Sequence, residues 1–389
     1  MIPRKNLLRT LKKSATQPLY ATQNLIHRTR SALSYHLDKH GRSYWPETIS
    51  LFLTYRCNLR CRMCGQWGDA GAFNEYSRDI LKQQLSLDEI RSVIADIHHF
   101  KPNITLFGGE PFLHPDWFKI IKSVKSAGLR CNIVTNGTFI RKYAEQIIES
   151  RLDEIIFSLD GPAEIHDAIR RVPGTYKLSM EGFQRLNQLK QKYSRKHPLI
   201  NINSTLWEEN HRHINDIITI AESINADGLT FHHLLFLAKP TVNQFLDSFS
   251  RRFHQRPTDW IGFARDTLPE IDVEYLITEL KAAKARRSKT DISVYPNLND
   301  AETRRWYSQF EFEAGSYRNR CMSLWMTSYI FPDGTVRPYH SMNFVTGNIR
   351  ENRFSEIWNN ETYCDYRRYI RTHKKFPVCS KGCTEFFRY

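Results

Sequence analysis

The stretch Ile49-Ser-Leu-Phe-Leu-Thr54-Tyr-Arg-Cys57-Asn-Leu-Arg-Cys61-Arg-Met63-Cys64-Gly65 decides how the chain is read. Its first six residues form a short apolar run with the look of a β-strand, and the loop that follows carries three cysteines spaced C-x3-C-x2-C. Three thiolates therefore converge from one loop. A structural zinc site takes four protein ligands, usually from two C-x2-C pairs, and no fourth is close in sequence. A 4Fe-4S cluster has four iron corners, so three thiolates hold three irons and leave one open to a substrate or cofactor. Eight cysteines in 389 residues do not make a disulfide scaffold, and their clustering suits metal in a reducing compartment.

Outward from this loop, residues 49 to 235 alternate β-rich runs with amphipathic stretches. Strands are expected at Ile49–Thr54, Asn103–Phe107, Leu129–Thr135, Glu154–Leu159, Leu199–Leu206 and Gly228–Leu235. Between them lie helical segments such as Ser86–Phe100, with Leu87, Ile90, Ile94 and Ile97 on one stripe and a Ser86/Glu89 capping box, and Trp117–Ala127, closed by Gly128. The fold class is α/β, a partial (β/α)6 TIM barrel, in which chemistry sits at the C-terminal ends of the strands. Four domains are expected: a basic extension over 1–45, the partial barrel over 46–237, a helical and loop insertion over 238–315, and a β-hairpin-plus-helix domain over 316–389. The last has its hairpin turn at Pro332-Asp-Gly-Thr335 and a helix from Ser355 to about Ile370.

Motifs recur just past the strands: Gly108-Gly109-Glu110-Pro111 after the second, Thr135-Asn136-Gly137-Thr138 after the third, and Ser158-Leu-Asp160-Gly161 after the fourth, with Arg170 twelve residues beyond Ser158. With the cysteine triplet, these resemble the radical S-adenosylmethionine (SAM) superfamily. The resemblance implies that Cys57, Cys61 and Cys64 hold a 4Fe-4S cluster whose open iron chelates SAM. One electron then cleaves SAM to a 5′-deoxyadenosyl radical that takes hydrogen from substrate. It further implies SAM contacts from Gly108, Gly109, Glu110 and Asn136, ribose contact from Ser158, and carboxylate pairing by Arg170, whose planar fork suits that partner. Asp160 would face the reaction chamber. Met63 stands where the family commonly has an aromatic residue, so its thioether is the expected apolar contact for adenine. A reducing partner such as flavodoxin or ferredoxin is implied as well.

Toward the C-terminus, Cys321, Gly334 and the pair Cys379/Cys383 resemble the SPASM or twitch extensions, which bind auxiliary 4Fe-4S clusters. Tyr339 falls where that pattern has a cysteine, and the closing pair is C-x3-C rather than C-x2-C. Cys321, Cys379 and Cys383 are expected to hold one cluster, its fourth corner open or filled by Tyr339 or His340; a hairpin that has lost its cluster is the competing reading. Cys131 and Cys364 read as core.

The net charge is +15, and residues 1 to 45 carry nine basic side chains against Asp38 alone. With Leu25, Leu33, Leu37, Ile26 and Ala32 this segment suits an anionic membrane surface, a phosphate backbone or a solvated tail, and the absence of acids before Asp38 also suits a mitochondrial transit peptide. It is too short and helical for a leader-recognition domain. No apolar run reaches bilayer-spanning length, and a cytoplasmic protein with membrane-surface contact is expected. The insertion interleaves aromatics (Phe245, Phe249, Phe253, Trp260, Phe263, Tyr275, Tyr295, Trp306, Tyr307, Phe310) with Arg251, Arg252, Arg256, Arg286 and Arg287, which suits a lipid-like or other anionic small molecule. A peptide or protein modifier is the second reading. A non-catalytic iron-sulfur binder is the third.

Overall fold

The computed structural model describes residues 18–389. The basic residues Arg4, Lys5, Arg9, Lys12 and Lys13 lie outside them. Six strands, β1 (Thr48–Phe52), β2 (Asn103–Phe107), β3 (Arg130–Thr135), β4 (Glu154–Ser158), β5 (Leu199–Leu206) and β6 (Gly228–His233), pair in chain order and all run parallel. Helices between them cover the outer face. The stripe of Ile90, Ile94 and Ile97 is buried on the helix Leu87–Ile97, whose capping box at Ser86 and Glu89 is formed. The helix Trp117–Ser126 ends where Gly128 takes φ +72°, a left-handed turn that glycine enters without strain.

The sheet grows at both edges by strands the sequence does not announce. β7 (Asp291–Tyr295), inside the stretch read as helix and loop, pairs in parallel with β6. β8 (Thr327–Ile330), the first strand of the expected hairpin, pairs in parallel with β1, and β9 (Thr335–Arg337) and β10 (Gly347–Asn348) extend that edge antiparallel. Eight parallel strands thus wrap one lumen. The expected single helix from Ser355 is two pieces, Phe354–Ile357 and Glu361–His373, because the Asn360 side chain accepts from Tyr363 N at 2.9 Å and starts a new helix.

Strand alternation decides what the lumen offers. In β5, Ile200 and Ile202 are fully buried toward the helices, while Asn201, Asn203 and Thr205 line the interior. Ser50, Thr105, Asn132 and Ser158 do the same on neighbouring strands. A barrel core is usually filled by branched aliphatic side chains; this one is lined by amides and hydroxyls around open space.

A helix, α1 (Pro18–Leu37), crosses the N-terminal end of the barrel. His27 reaches Phe100 O at 2.9 Å, Arg28 forks onto the buried Glu47 at 2.6 and 2.8 Å, and Arg130 at the start of β3 covers the Tyr20 ring. Removing one partner of a buried pair like Arg28–Glu47 costs about 3–5 kcal/mol, so α1 is fastened rather than loosely appended. Cys131 and Cys364 are buried as expected of core residues.

Candidate functional site

The loop after β1 is held in place by its own backbone. Cys64 N donates to Cys61 O at 3.1 Å, and Arg62 N donates to Ile169 O at 3.0 Å, tying the loop to the helix Ala163–Arg170. Trp67 Nε1 donates to Tyr55 O at 2.7 Å, and Arg60 lies 4.3 Å over the same indole. Each of the three sulfurs accepts one N–H: Leu59 N to Cys57 Sγ at 3.4 Å, Arg170 Nη1 to Cys61 Sγ at 3.5 Å, and Trp67 N to Cys64 Sγ at 3.4 Å. Burial pushes the Cys57 thiol up to about 12 and raises Cys61 too. Deprotonated sulfur here calls for positive charge beyond these donors, which is what metal ligation supplies. All three cysteines are free of disulfides and open on one cavity. Among the described residues no Cys, His, Asp or Glu group has the close geometry of a single-ion site; in a cubane each thiolate binds a different iron, so this donor set fits a cluster rather than a mononuclear centre.

The expected SAM residues divide into two sets. Met63, Gly108, Gly109, Asn136, Ser158, Asp160 and Arg170 line the same cavity as the thiols. Arg170 Nη2 pairs with Asp160 Oδ2 at 2.6 Å while Nη1 reaches Cys61, and its buried Nε has no partner. Burial opposes the arginine charge, yet Asp160 and Cys61 hold its pKa above the ordinary value; burial raises Asp160 despite Arg170. An orphaned, buried guanidinium N–H beside the thiols suits an anionic ligand such as the SAM carboxylate.

Glu110 is the exception. Its carboxylate is fully buried behind the cavity wall and accepts from Thr135 Oγ1 and Asn136 N at 2.9 Å and from Phe112 N at 3.2 Å. Burial lifts its pKa to about 7. Its visible task is to fix the turn after β3, where Asn136 Nδ2 in turn reaches Asn58 in the cysteine loop at 2.9 Å. The glycines before it serve the same loop: a Cβ on Gly109 would lie 2.1 Å from Arg56 O, and Gly109 N and Glu110 N donate to Thr54 O and Arg56 O at 2.9 Å. The two glycines thus line the cavity and also let the backbone of the cysteine loop pass close behind them.

Across the cavity lies the second thiol group. Cys321 and Cys383 are buried and Cys379 half-buried; burial raises all three thiols, and Cys321 raises Cys379 and Cys383 further. Cys383 and Thr384 open on the shared cavity. Tyr339 accepts from Thr384 N at 2.9 Å and stacks on Trp260, while His340 Nε2 meets Thr384 Oγ1 at 3.4 Å, held neutral by burial with a pKa of about 3. Sequence reasoning missed Tyr366. Its buried phenol feels Cys379, Cys321 and Cys383 together and donates to Met342 Sδ at 3.6 Å. It lies on an amphipathic helix where a core tyrosine is the ordinary reading, so no sequence signal marked it. Of the ten insertion aromatics, only Phe263, Tyr295 and Trp306 line the cavity. Most of the others, including Phe245, Phe249 and Trp260, are core.

Thiol groups on a barrel loop and on a terminal hairpin domain, sharing one cavity at the strand ends, define an iron-sulfur enzyme of the parallel-barrel class. Residues 51–221 match the radical SAM superfamily model and residues 321–384 match the SPASM iron-sulfur cluster-binding domain. The chain belongs to the radical SAM superfamily and carries a SPASM domain. It is similar to an AdoMet-dependent heme synthase of Oleidesulfovibrio alaskensis, 25% identical over 84% of this chain and 77% of that one. It is also similar to an Fe-coproporphyrin III synthase of Methanosarcina barkeri, 26% identical over 79% and 72%. Its fold is like that of Streptococcus suis SuiB bound to the precursor peptide SuiA, with a TM-score of 0.61 at 12% identity, covering 85% of this chain and 69% of that one. The protein is therefore an enzyme whose cofactors are SAM and iron-sulfur clusters, and it needs a reductant and a substrate. That excludes the reading as a non-catalytic cluster carrier. No helix among the described residues is long and apolar enough to cross a membrane.

Proposed function

We propose that the chain takes a hydrogen atom from an anionic, amphiphilic small molecule of macrocycle size, with Cys57, Cys61 and Cys64 holding the SAM-binding cluster. The observation that carries this reading is the single cavity of about 1580 Å³ joining the thiol loop, Ser158, Asp160 and Arg170 to Phe263, Trp306, His340 and Cys383. That volume runs the length of the lumen, down to Tyr20, Leu25 and Arg28 on α1, and its upper part, between the two thiol groups, is where SAM and a second molecule would meet. The cluster supplies the electron that cleaves SAM, and SAM supplies the hydrogen-abstracting group. The protein's own part is positional. Arg170, its Nε–H unpartnered and its fork held by Asp160, would supply the charge that pairs with a carboxylate, and Ser158 offers a hydroxyl from the end of β4. His340, neutral at physiological pH, and the aromatic faces of Phe263 and Trp306 supply an apolar wall with a polar tip. Cys321, Cys379 and Cys383 are read as the ligands of the auxiliary cluster, and flavodoxin or ferredoxin as the electron donor.

The relatives whose names specify heme and Fe-coproporphyrin III support a porphyrin-like polycarboxylate over a simple lipid. The peptide-modifying reading draws on the SuiB likeness, which speaks for fold alone. Two candidate substrates separate the readings. With the reduced, cluster-loaded enzyme, an iron porphyrin polycarboxylate should shift its visible absorption on binding and raise 5′-deoxyadenosine yield. Stimulation by peptides but not by the porphyrin would transfer the assignment to the second reading.

A further inference from the structure

The helix α1 shows two faces of opposite purpose. His27, Ser31 and Tyr35, four residues apart, are buried against the barrel. On the opposite face Ile26, Leu33 and Leu37 are 45%, 52% and 73% exposed, with Leu25 beside them at 58%. These are four of the eight large apolar side chains exposed among the described residues, gathered on one helix. A scattered exposed leucine is ordinary, whereas a stripe on a fastened helix is a surface with a task.

The surroundings specify the partner. Arg30 and Lys39 are exposed on and just beyond α1, and Arg42 follows. The C-terminal domain adds more from far along the chain: Arg371 donates to the Asp38 and Lys39 carbonyls just past α1, and the exposed Lys374 follows it, while Arg320 covers the ring of the buried Tyr35 on the barrel side of the helix. Asp38, the one acid in residues 1–45, has its carboxylate engaged by Arg42 N at 2.8 Å.

We infer that this composite face, an apolar stripe rimmed by cations from both ends of the chain, docks on an anionic lipid bilayer surface. Leucine and isoleucine side chains enter the boundary between headgroups and acyl chains while the rim pairs with lipid phosphates. The docking face lies at the N-terminal end of the barrel and the thiols at the C-terminal end, so the bilayer tethers the enzyme from behind. The inference does not depend on the substrate reading.

Flotation of the full chain with phosphatidylcholine vesicles, with and without phosphatidylglycerol, tests it. The protein should float with the anionic vesicles only, and salt should weaken the binding. Ile26→Ser/Leu33→Ser/Leu37→Ser should cut partitioning at least about tenfold with an unchanged melting temperature, and Lys39→Gln/Arg42→Gln should weaken it with the stripe intact. Four results would overturn the inference: a parent protein that stays behind with anionic vesicles, a triple variant that floats equally well, a parent dimer that the triple variant turns into monomer, or a preference for single-stranded RNA over the vesicles.

Discussion

Arg170 joins the site's electrostatics through one guanidinium that touches both the Asp160 carboxylate and the Cys61 sulfur. Arg170→Ala would leave Asp160 buried and alone, at a cost of about 3–5 kcal/mol, so Arg170→Lys is the more informative change. It keeps the charge, loses the fork, and should weaken SAM binding about 10- to 100-fold with iron content intact; unchanged affinity by equilibrium dialysis would remove Arg170 from the SAM site. Glu110 makes a different prediction. Its folded pKa of about 7 lies above the 4.5 of an ordinary glutamate, so between these the folded state holds a proton that the unfolded state has lost. Its contribution is complete below about pH 4.5 and fades as pH rises through 7. Denaturation of parent and Glu110→Gln across that window should show the parent losing up to about 3 kcal/mol relative to the variant; parallel profiles would contradict the burial argument. The cysteine triplet stood out by its spacing after a strand, and Ser158, Asp160 and Arg170 were singled out by the resemblance of their motif; the fold brings all of them to one cavity. The inward turn of Glu110 and the placing of Tyr366 beside three thiols depend on packing that no local pattern records.

Among the elements, the turn after β2 and the cysteine loop form one unit, pressed together at Gly109. Gly109→Ala would push a methyl group to 2.1 Å from the Arg56 carbonyl, which must move. Although it alters no ligand, the substitution should lower iron occupancy of the first cluster while sparing the second, read by iron analysis in a background lacking Cys321, Cys379 and Cys383. Normal loading would show that the loop tolerates the shift. Ser86→Ala, which breaks the formed capping box, should cost about 1 kcal/mol of stability and leave iron binding alone. Six strands could be read because each is a short β-rich run, apolar or alternating, set between amphipathic helices. β7 escaped because Asp-Ile-Ser-Val-Tyr is short and amphipathic, set between a basic helix and Pro296. The hairpin of β8 and β9 announced its turn, but hairpin chemistry is local, and docking of β8 beside β1 is decided by which sheet edge is free.

For the whole molecule, the principal feature is that both thiol groups reach one cavity in a barrel whose interior is polar. Full reconstitution should give about eight irons per chain, four per cluster, and the triple Cys57/Cys61/Cys64→Ala variant should retain about half. An iron-free triple variant would make Cys321, Cys379 and Cys383 core residues. If iron is retained, spectra of Tyr339→Phe, His340→Ala and Tyr366→Phe should identify the fourth corner, and an unchanged cluster in all three would leave that corner open. Charge counting marks residues 1–45 as basic, but it gives no hint that Arg371 from the C-terminal domain ties down the end of α1 through the Asp38 and Lys39 carbonyls. The central claim is that the loop after β1 carries a cluster that reductively cleaves SAM, and its most direct test is 5′-deoxyadenosine formed from SAM under anaerobic dithionite. The reconstituted protein should release it and the Cys61→Ala variant should not; release by the variant, or none by the parent with its cluster loaded, would contradict the account.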